Sequence, residues 1–410
     1  MKFNLMTIPK LGASDERREE LRPIGRNTEE YVRMLDELDQ IVLMADELGY
    51  DSYSTTEHHF HTEGVEVMPS PMLFYTRLAA MTKNIKFMPL SIVLPASNPL
   101  RVAEDIALFD NMFRGRIMVG FARGYQNKWM QVISQRESIA SGMPKSDALN
   151  REIFEEYLDV VLKAWTEDSF SFNGKHFKVP FPAEGIDDWA VANISARYGT
   201  TTEIDADGVV REIGVVPSPY TKPHPQIWLP FSYSPQTLSN AARRGFNMLL
   251  LPSEPTAVRE FCERYQSEAA EAGRDLKLGE GICAVRQLAI GDTYEEAFDI
   301  AVRSSGWDFQ KYFQEFGNME AWRTPEDDPN NKPLRFPTPE AATQRLVGEG
   351  FIICGTVDDV KRQIEKERLC GADGDLEYMS WNFYPQGNLT FDEQRRQLEL
   401  FGTQIMPEFV

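Results

Sequence analysis

The 410 residues carry 43 lysines and arginines against 63 aspartates and glutamates, a formal net charge of −20 at pH 7. Such a balance argues against nucleic acid as a partner, because polyanion binding rests on clustered Lys and Arg. No apolar run reaches the roughly 18 residues that a membrane span needs, and the first ten residues, MKFNLMTIPK, hold no signal-peptide pattern, so the cytoplasm is the expected location.

Short apolar runs then alternate with longer stretches of helical period. Residues 3–7 read as a first strand. Apolar positions 31, 34, 35, 38, 41, 42, 45 and 48 follow a 3.6-residue repeat, so 27–48 reads as a helix. Asn27 and Glu30 are spaced as in a capping box there, and Gly49 is a natural stop. Residues 51–56 read as strand with EHHFH beyond, 69–81 as helix, 85–94 as strand, and 99–113 as helix closed by Gly115. A strand at 116–120 leads into the loop FARGYQNKWM. The helix 151–165 carries Phe154, Tyr157, Leu158, Val161, Leu162 and Trp165 on one face.

Further strand–helix units are expected at 226–230 with 235–244, 247–250 with 256–272, 281–289 with 293–302, and 377–382 with 391–406. The total of about eight units fits a (β/α)8 TIM barrel better than an open doubly wound sheet. One domain over 1–410 is the expected organisation. Two stretches break the pattern and are expected as insertions on the barrel's loop face, where active-site lids sit. One is 168–223, with the hairpin-like FSFNGKHFKVPFP, and the other is 309–340, rich in Pro and acidic residues. Cys262, Cys283, Cys354 and Cys370 lack CxxC spacing and are expected reduced and buried.

Three of the five histidines, His58, His59 and His61, fall in DSYSTTEHHFH at 51–61. Three readings stay open. They are hydrogen-bonded side chains at a strand end, or a metal site built on His59 and His61 as in a metal-dependent hydrolase. Alternatively, His58 is a general acid/base at the C-terminal rim of a barrel, where such residues are placed. The metal reading needs further ligands from later strands, and His176 and His224 lie in or beside the first insertion instead.

Neither GxGxxG after a strand nor GxxxxGK[ST] occurs. What does occur is PFSYSPQTLSNAARRG at 230–245, where Pro235 opens a helix and Ser232, Ser234 and Thr237 gather at its N-terminus. This is either a phosphate seat or an ordinary Ser cap. Arg123 and Arg151 are the cationic complements, unless acidic neighbours take them.

Together, EHHF at 57–60, LPASNPLRVAEDIALFDNMFRGRIMVGFARG at 94–124 and FSYSPQTLSNAARRG at 231–245 resemble the bacterial luciferase-like flavin-dependent monooxygenases, as do GTVDDVKRQIEKER at 355–368 and FGTQIMPEF near the end. The resemblance covers the barrel apart from the insertions. It implies reduced FMN as co-substrate, supplied by a separate NAD(P)H:flavin reductase, and O2 captured as a flavin C4a-hydroperoxide that oxygenates a small, mostly apolar substrate. A homodimer is implied as well. F420-dependent hydride transfer on the same fold is an alternative, and so is a barrel that binds flavin without catalysis.

By the same resemblance His58 matches a histidine beside the flavin ring, Arg123 and Arg151 match phosphate-binding arginines, and Ser234 and Thr237 match phosphate-loop hydroxyls. Tyr233 stands where the luciferase catalytic subunit has an acidic residue, and Ala122 where it has a cysteine, so a long-chain aldehyde is not the expected substrate. Leu90-Ser91 matches a bulged or cis peptide against the flavin. Such chemistry requires a dry, covered site, with Phe60, Met68, Phe121, Tyr125 and Trp129 as candidates for its wall.

Overall fold

The computed structural model describes residues 1–137, 139–142, 146–230, 235–368, 375–383 and 388–410. Its strands are β1 (Lys2–Thr7), β2 (Ser52–Thr55), β3 (Lys86–Pro89), β4 (Ile92–Val93), β5 (Val119–Ala122), β6 (Phe172–Asn173), β7 (Lys178–Val179), β8 (Ile227–Pro230), β9 (Asn247–Leu250), β10 (Ile282–Ile290), β11 (Ile352–Gly355) and β12 (Tyr378–Phe383). Helices separate most of them, and every described ladder except β6/β7 is parallel. This alternation is that of a TIM barrel, as expected. By its internal contacts the chain forms two compact units, residues 1–90 with 227–410, and residues 91–226.

In the first unit the ladder runs β3-β2-β1-β12-β10-β9-β8, with β11 also on β10. Strands covered on both faces read as continuous apolar runs rather than alternating ones. All nine residues of β10 are buried accordingly, including Arg286 and Gln287. Polar side chains between strands pair among themselves: Asn4 donates to Ser380 Oγ at 2.7 Å, while Ser52 and Ser54 donate to Asn4 Oδ1 at 2.9 and 2.8 Å. The helix Thr28–Leu48 starts where the Asn27 side chain accepts from Glu30 N–H and stops at Gly49, φ +89°. Its inward face is Met34, Leu38, Ile41, Val42 and Ala45.

Residues 309–340 continue the helix Trp307–Lys311 into the short turns Phe313–Phe316 and Asn318–Trp322. Their acidic part is clipped by Arg345, whose guanidinium donates to both oxygens of Asp327 at 2.7 and 2.8 Å. One strand–helix unit escapes the sequence reading: β11 is only the four residues IICG, followed by the helix Val357–Arg368. A run that short between glycines gives no period to detect.

The second unit pairs β4 with β5 and packs the helix Asp147–Thr166 on Pro99–Phe113, where Trp165 Nε1 donates to Ala103 O at 3.0 Å. Three boundaries move. The expected 85–94 strand is broken at Leu90 and Ser91, the 116–120 strand lies at 119–122, and the 151–165 helix begins a turn earlier. Within 168–223, the Asn-Gly hairpin forms as β6/β7, and Asp110 fixes the far end by accepting from Thr221 N–H at 2.7 Å. Cys262, Cys283 and Cys354 are buried and in no disulfide among the described residues, and Cys370 lies outside them. Among the described residues no helix is long and apolar enough to cross a membrane.

Candidate active site

Just past β2 the chain turns into a loop that carries all three clustered histidines. His58 is 8% exposed, its backbone N–H donates to Met68 O at 2.9 Å, and its Nδ1 lies 3.0 Å from Thr56 Oγ1. Its Nε2 lies 3.5 Å from Glu66 Oε1. Burial, the largest influence, pulls its pKa below the ordinary value; Glu66 works against that, and His61 with it. The neutral ring is therefore the resting form near neutral pH, with a carboxylate beside it that favours taking up a proton.

His59 and His61 turn elsewhere. His59 Nε2 pairs with Glu57 at 3.0 Å, while His61 Nδ1 pairs with Glu63 at 2.7 Å and lies 3.1 Å from the Tyr312 hydroxyl. Among the described residues no group of three His, Cys, Asp or Glu side chains is placed to hold a metal ion. The loop itself is held tightly. Gly25 N–H donates to Thr62 O at 2.9 Å, and Val67 N–H to Pro9 O at 2.8 Å. Phe60 and Glu66 both adopt left-handed backbone, φ +63° and +55°, which non-glycine residues seldom do.

In the second unit, Arg123 and Arg151 come together on one carboxylate. Arg123 Nη1 donates to Asp147 Oδ1 at 2.9 Å, and Arg151 Nη2 is 3.6 Å from Asp147 Oδ2. Burial and then the Arg151 charge lower the Arg123 pKa, offset by Asp147. The FARG turn is set by Asn150, which donates to Arg123 O at 2.7 Å, and by Gly124 at φ +73°. A Cβ at Gly124 would sit 2.4 Å from Met130 Sδ and 2.7 Å from Val93 Cγ1, so only glycine fits. Each guanidinium has five N–H donors, more than Asp147 can engage, so this donor set fits the phosphate of FMN.

The remaining expected residues are placed as follows. Thr237 is half-buried in the first turn of the helix Pro235–Arg244, whereas Tyr233 and Ser234, with Ser232, lie outside the described residues. Leu90 and Ser91 are buried, and Leu90 N–H donates to Thr55 O at 2.9 Å. They interrupt the strand, as a bulge does, but their peptide is not among the cis bonds, which in the described chain all precede proline. Of the wall candidates, Met68, Phe121 and Trp129 are buried, and Phe60 is half exposed. Sequence reasoning missed Glu66, Tyr312 and Asp147; none belongs to a motif or a periodic run, and only folding brings them to their partners.

A family model described as luciferase-like monooxygenase matches residues 1–374. The chain is 25% identical over 384 residues to the 3,6-diketocamphane 1,6-monooxygenase of Pseudomonas putida, covering 90% of this chain and 91% of that one. The FMN complex of the oxygenating constituent of 3,6-diketocamphane monooxygenase from the same organism superposes with a TM-score of 0.72 at 21% identity, over 100% of this chain and 99% of that chain. The F420-dependent tetrahydromethanopterin reductase of Methanopyrus kandleri superposes with a TM-score of 0.60 at 15% identity, over 100% and 99%. Both structural likenesses are of fold.

Proposed function

Because this chain belongs to the luciferase-like monooxygenase family and is a flavin-dependent oxidoreductase, we propose that it is the oxygenase of a two-component system. It would take reduced FMN from a separate NAD(P)H:flavin reductase and use O2 to oxygenate a small, mostly apolar organic substrate. The proposal treats 1–410 as one functional domain, acting in the cytoplasm as a homodimer.

The observation that carries it is His58, a buried imidazole just past a barrel strand with a hydroxyl on one nitrogen and a carboxylate near the other. Reduced FMN, when bound, supplies the two electrons by which O2 is activated. Arg123 and Arg151 would hold its phosphate by charge-assisted hydrogen bonds, and by the family resemblance Tyr233, Ser234 and Thr237 are proposed as cofactor-binding residues. The backbone at Leu90 and Ser91 would form part of the ring's bed. His58 would take up the proton at Nδ1 and deliver it from there, Nε2 being the nitrogen that faces Glu66. Burial keeps the ring away from bulk water, and an activated oxygen species needs such exclusion to survive until substrate is attacked.

The test is anaerobic titration with photoreduced FMN, followed by mixing with air-saturated buffer while absorbance is recorded. Expected is a long-lived transient spectrum that is neither reduced nor oxidised flavin, shortened about 100-fold or more in His58→Ala, the usual scale for losing an acid/base group. Immediate reoxidation in the wild type, or no binding of FMN, overturns the reading. The F420 alternative, which the reductase fold keeps in view, is decided by titrating reduced and oxidised F420 in the same way.

A further inference from the structure

The loop that carries His58 buries a second titratable group, which the chemistry above leaves unused. Glu66 is 1% exposed and sits in left-handed backbone, φ +55°. Its two oxygens take different partners. Oε1 is 3.5 Å from His58 Nε2, and Oε2 accepts from the Tyr312 O–H at 2.9 Å. The Tyr312 oxygen in turn lies 3.1 Å from His61 Nδ1, which is 2.7 Å from the half-exposed Glu63. Tyr312 comes from 309–340, so the segment that interrupts the barrel pattern supplies a side chain to the histidine loop.

Burying a carboxylate costs free energy unless its partners offset the lost hydration, and a left-handed glutamate adds backbone strain. A purely structural tie between the loop and Tyr312 would need neither the charge nor the strain, because a glutamine accepts the same hydrogen bond. We propose that Glu66 is the positioning residue for His58. Oriented by Tyr312, it turns His58 so that Nε2–H faces the carboxylate and Nδ1 accepts from Thr56, and it favours the protonated ring when His58 takes up a proton. The proposal deepens the acid/base reading of His58 and rests on it for its functional meaning.

Other charges face the same place. Glu57, His59 and His61 act on His58 from its own loop, with Glu63 beyond His61. The buried pair of Lys10 with Asp308 approaches from two further elements, Arg18 acts on both members, and Asp308 and Glu66 repel. Glu66 is the carboxylate with the largest effect on His58. An opposite charge at this range raises a histidine pKa by about 1–3 units.

The test is nitrogen NMR of labelled histidine rings in the cofactor-free protein, where five histidines can be assigned by single substitutions. Glu66→Gln is expected to lower the His58 pKa by about one unit or more and to mix its tautomers, with Glu66→Asp restoring part of the shift. Tyr312→Phe is expected to mix the tautomers with a smaller shift. An unchanged His58 titration and tautomer in folded Glu66→Gln overturns the proposal. Should that variant not fold, an unchanged tautomer in Tyr312→Phe overturns it. Because this readout needs no flavin, it separates from the air-mixing experiment: a long-lived transient retained in His58→Ala would remove the acid/base role and leave the Glu66–His58 coupling to be judged by NMR alone.

Discussion

At the scale of single residues the two arginines make the sharpest claim about the ligand. Asp147 accepts from Arg123 at 2.9 Å and lies 3.6 Å from Arg151, so one carboxylate brings the two guanidinium groups together. Hydrogen bonds to charged groups contribute about 1.5–3 kcal/mol each, so Arg123→Ala or Arg151→Ala should weaken FMN binding about 10-fold to 100-fold. Riboflavin has the same ring without the phosphate, and its affinity should barely change. Fluorescence titration of both ligands checks this. Equal losses for the two would mean that the arginines do not meet the phosphate.

Among elements, the histidine loop depends on a neighbour that carries no chemistry. Gly25, in the short turn Ile24–Arg26, would place a Cβ 2.4 Å from His61 O and 2.9 Å from the Thr62 backbone. Backbone atoms cannot swing aside as a side-chain tip can, so the loop must move. Overpacking of this kind costs about 1–3 kcal/mol. Gly25→Ala should therefore lower urea stability by that amount and shift the ring signals of His58 and His61, leaving those of His176 and His224 unchanged. Unmoved His58 and His61 signals would show that the loop accommodates the methyl group elsewhere.

At the largest scale, contacts join distant parts of the chain within the first unit. The first strand pairs with the last, Lys2 opposite Tyr378 and Thr7 opposite Phe383. Just beyond it Lys10 and Asp308 form an ion pair, with side chains 2% and 1% exposed, and Lys10 Nζ lies 4.8 Å from the centre of the Trp307 ring. Burial pushes the Lys10 pKa down and the Asp308 pKa up, and each partner offsets the other's shift. Removing one member strands the other, so Lys10→Met should cost about 3 kcal/mol or more. The double variant Lys10→Met/Asp308→Leu should recover most of that loss, because apolar packing replaces a buried pair well. Thermal and urea unfolding of the three proteins check it, and additive losses would contradict it.

These scales differ in how far the sequence reaches. Helix 28–48 could be read with its cap and stop, because 3.6-residue periodicity and an Asn at the N-cap are local properties. The strand–helix alternation gave the barrel, and the blocks around EHHF and FARG gave the family and singled out His58 and Arg123, while Arg151 was singled out at an expected helix start. No local pattern marked β11, and none marked Glu66, Asp147 or Tyr312, whose significance lies in partners met only on folding. The sequence alone therefore determined the alternation of strands and helices and the cap and stop of helix 28–48, since those follow from short-range propensity and spacing. Tertiary structure alone decided that His58 faces Glu66, that Asp147 gathers two arginines, and that Tyr312 reaches the histidine loop. Burial and long-range charge act through space, and distance along the chain does not record them.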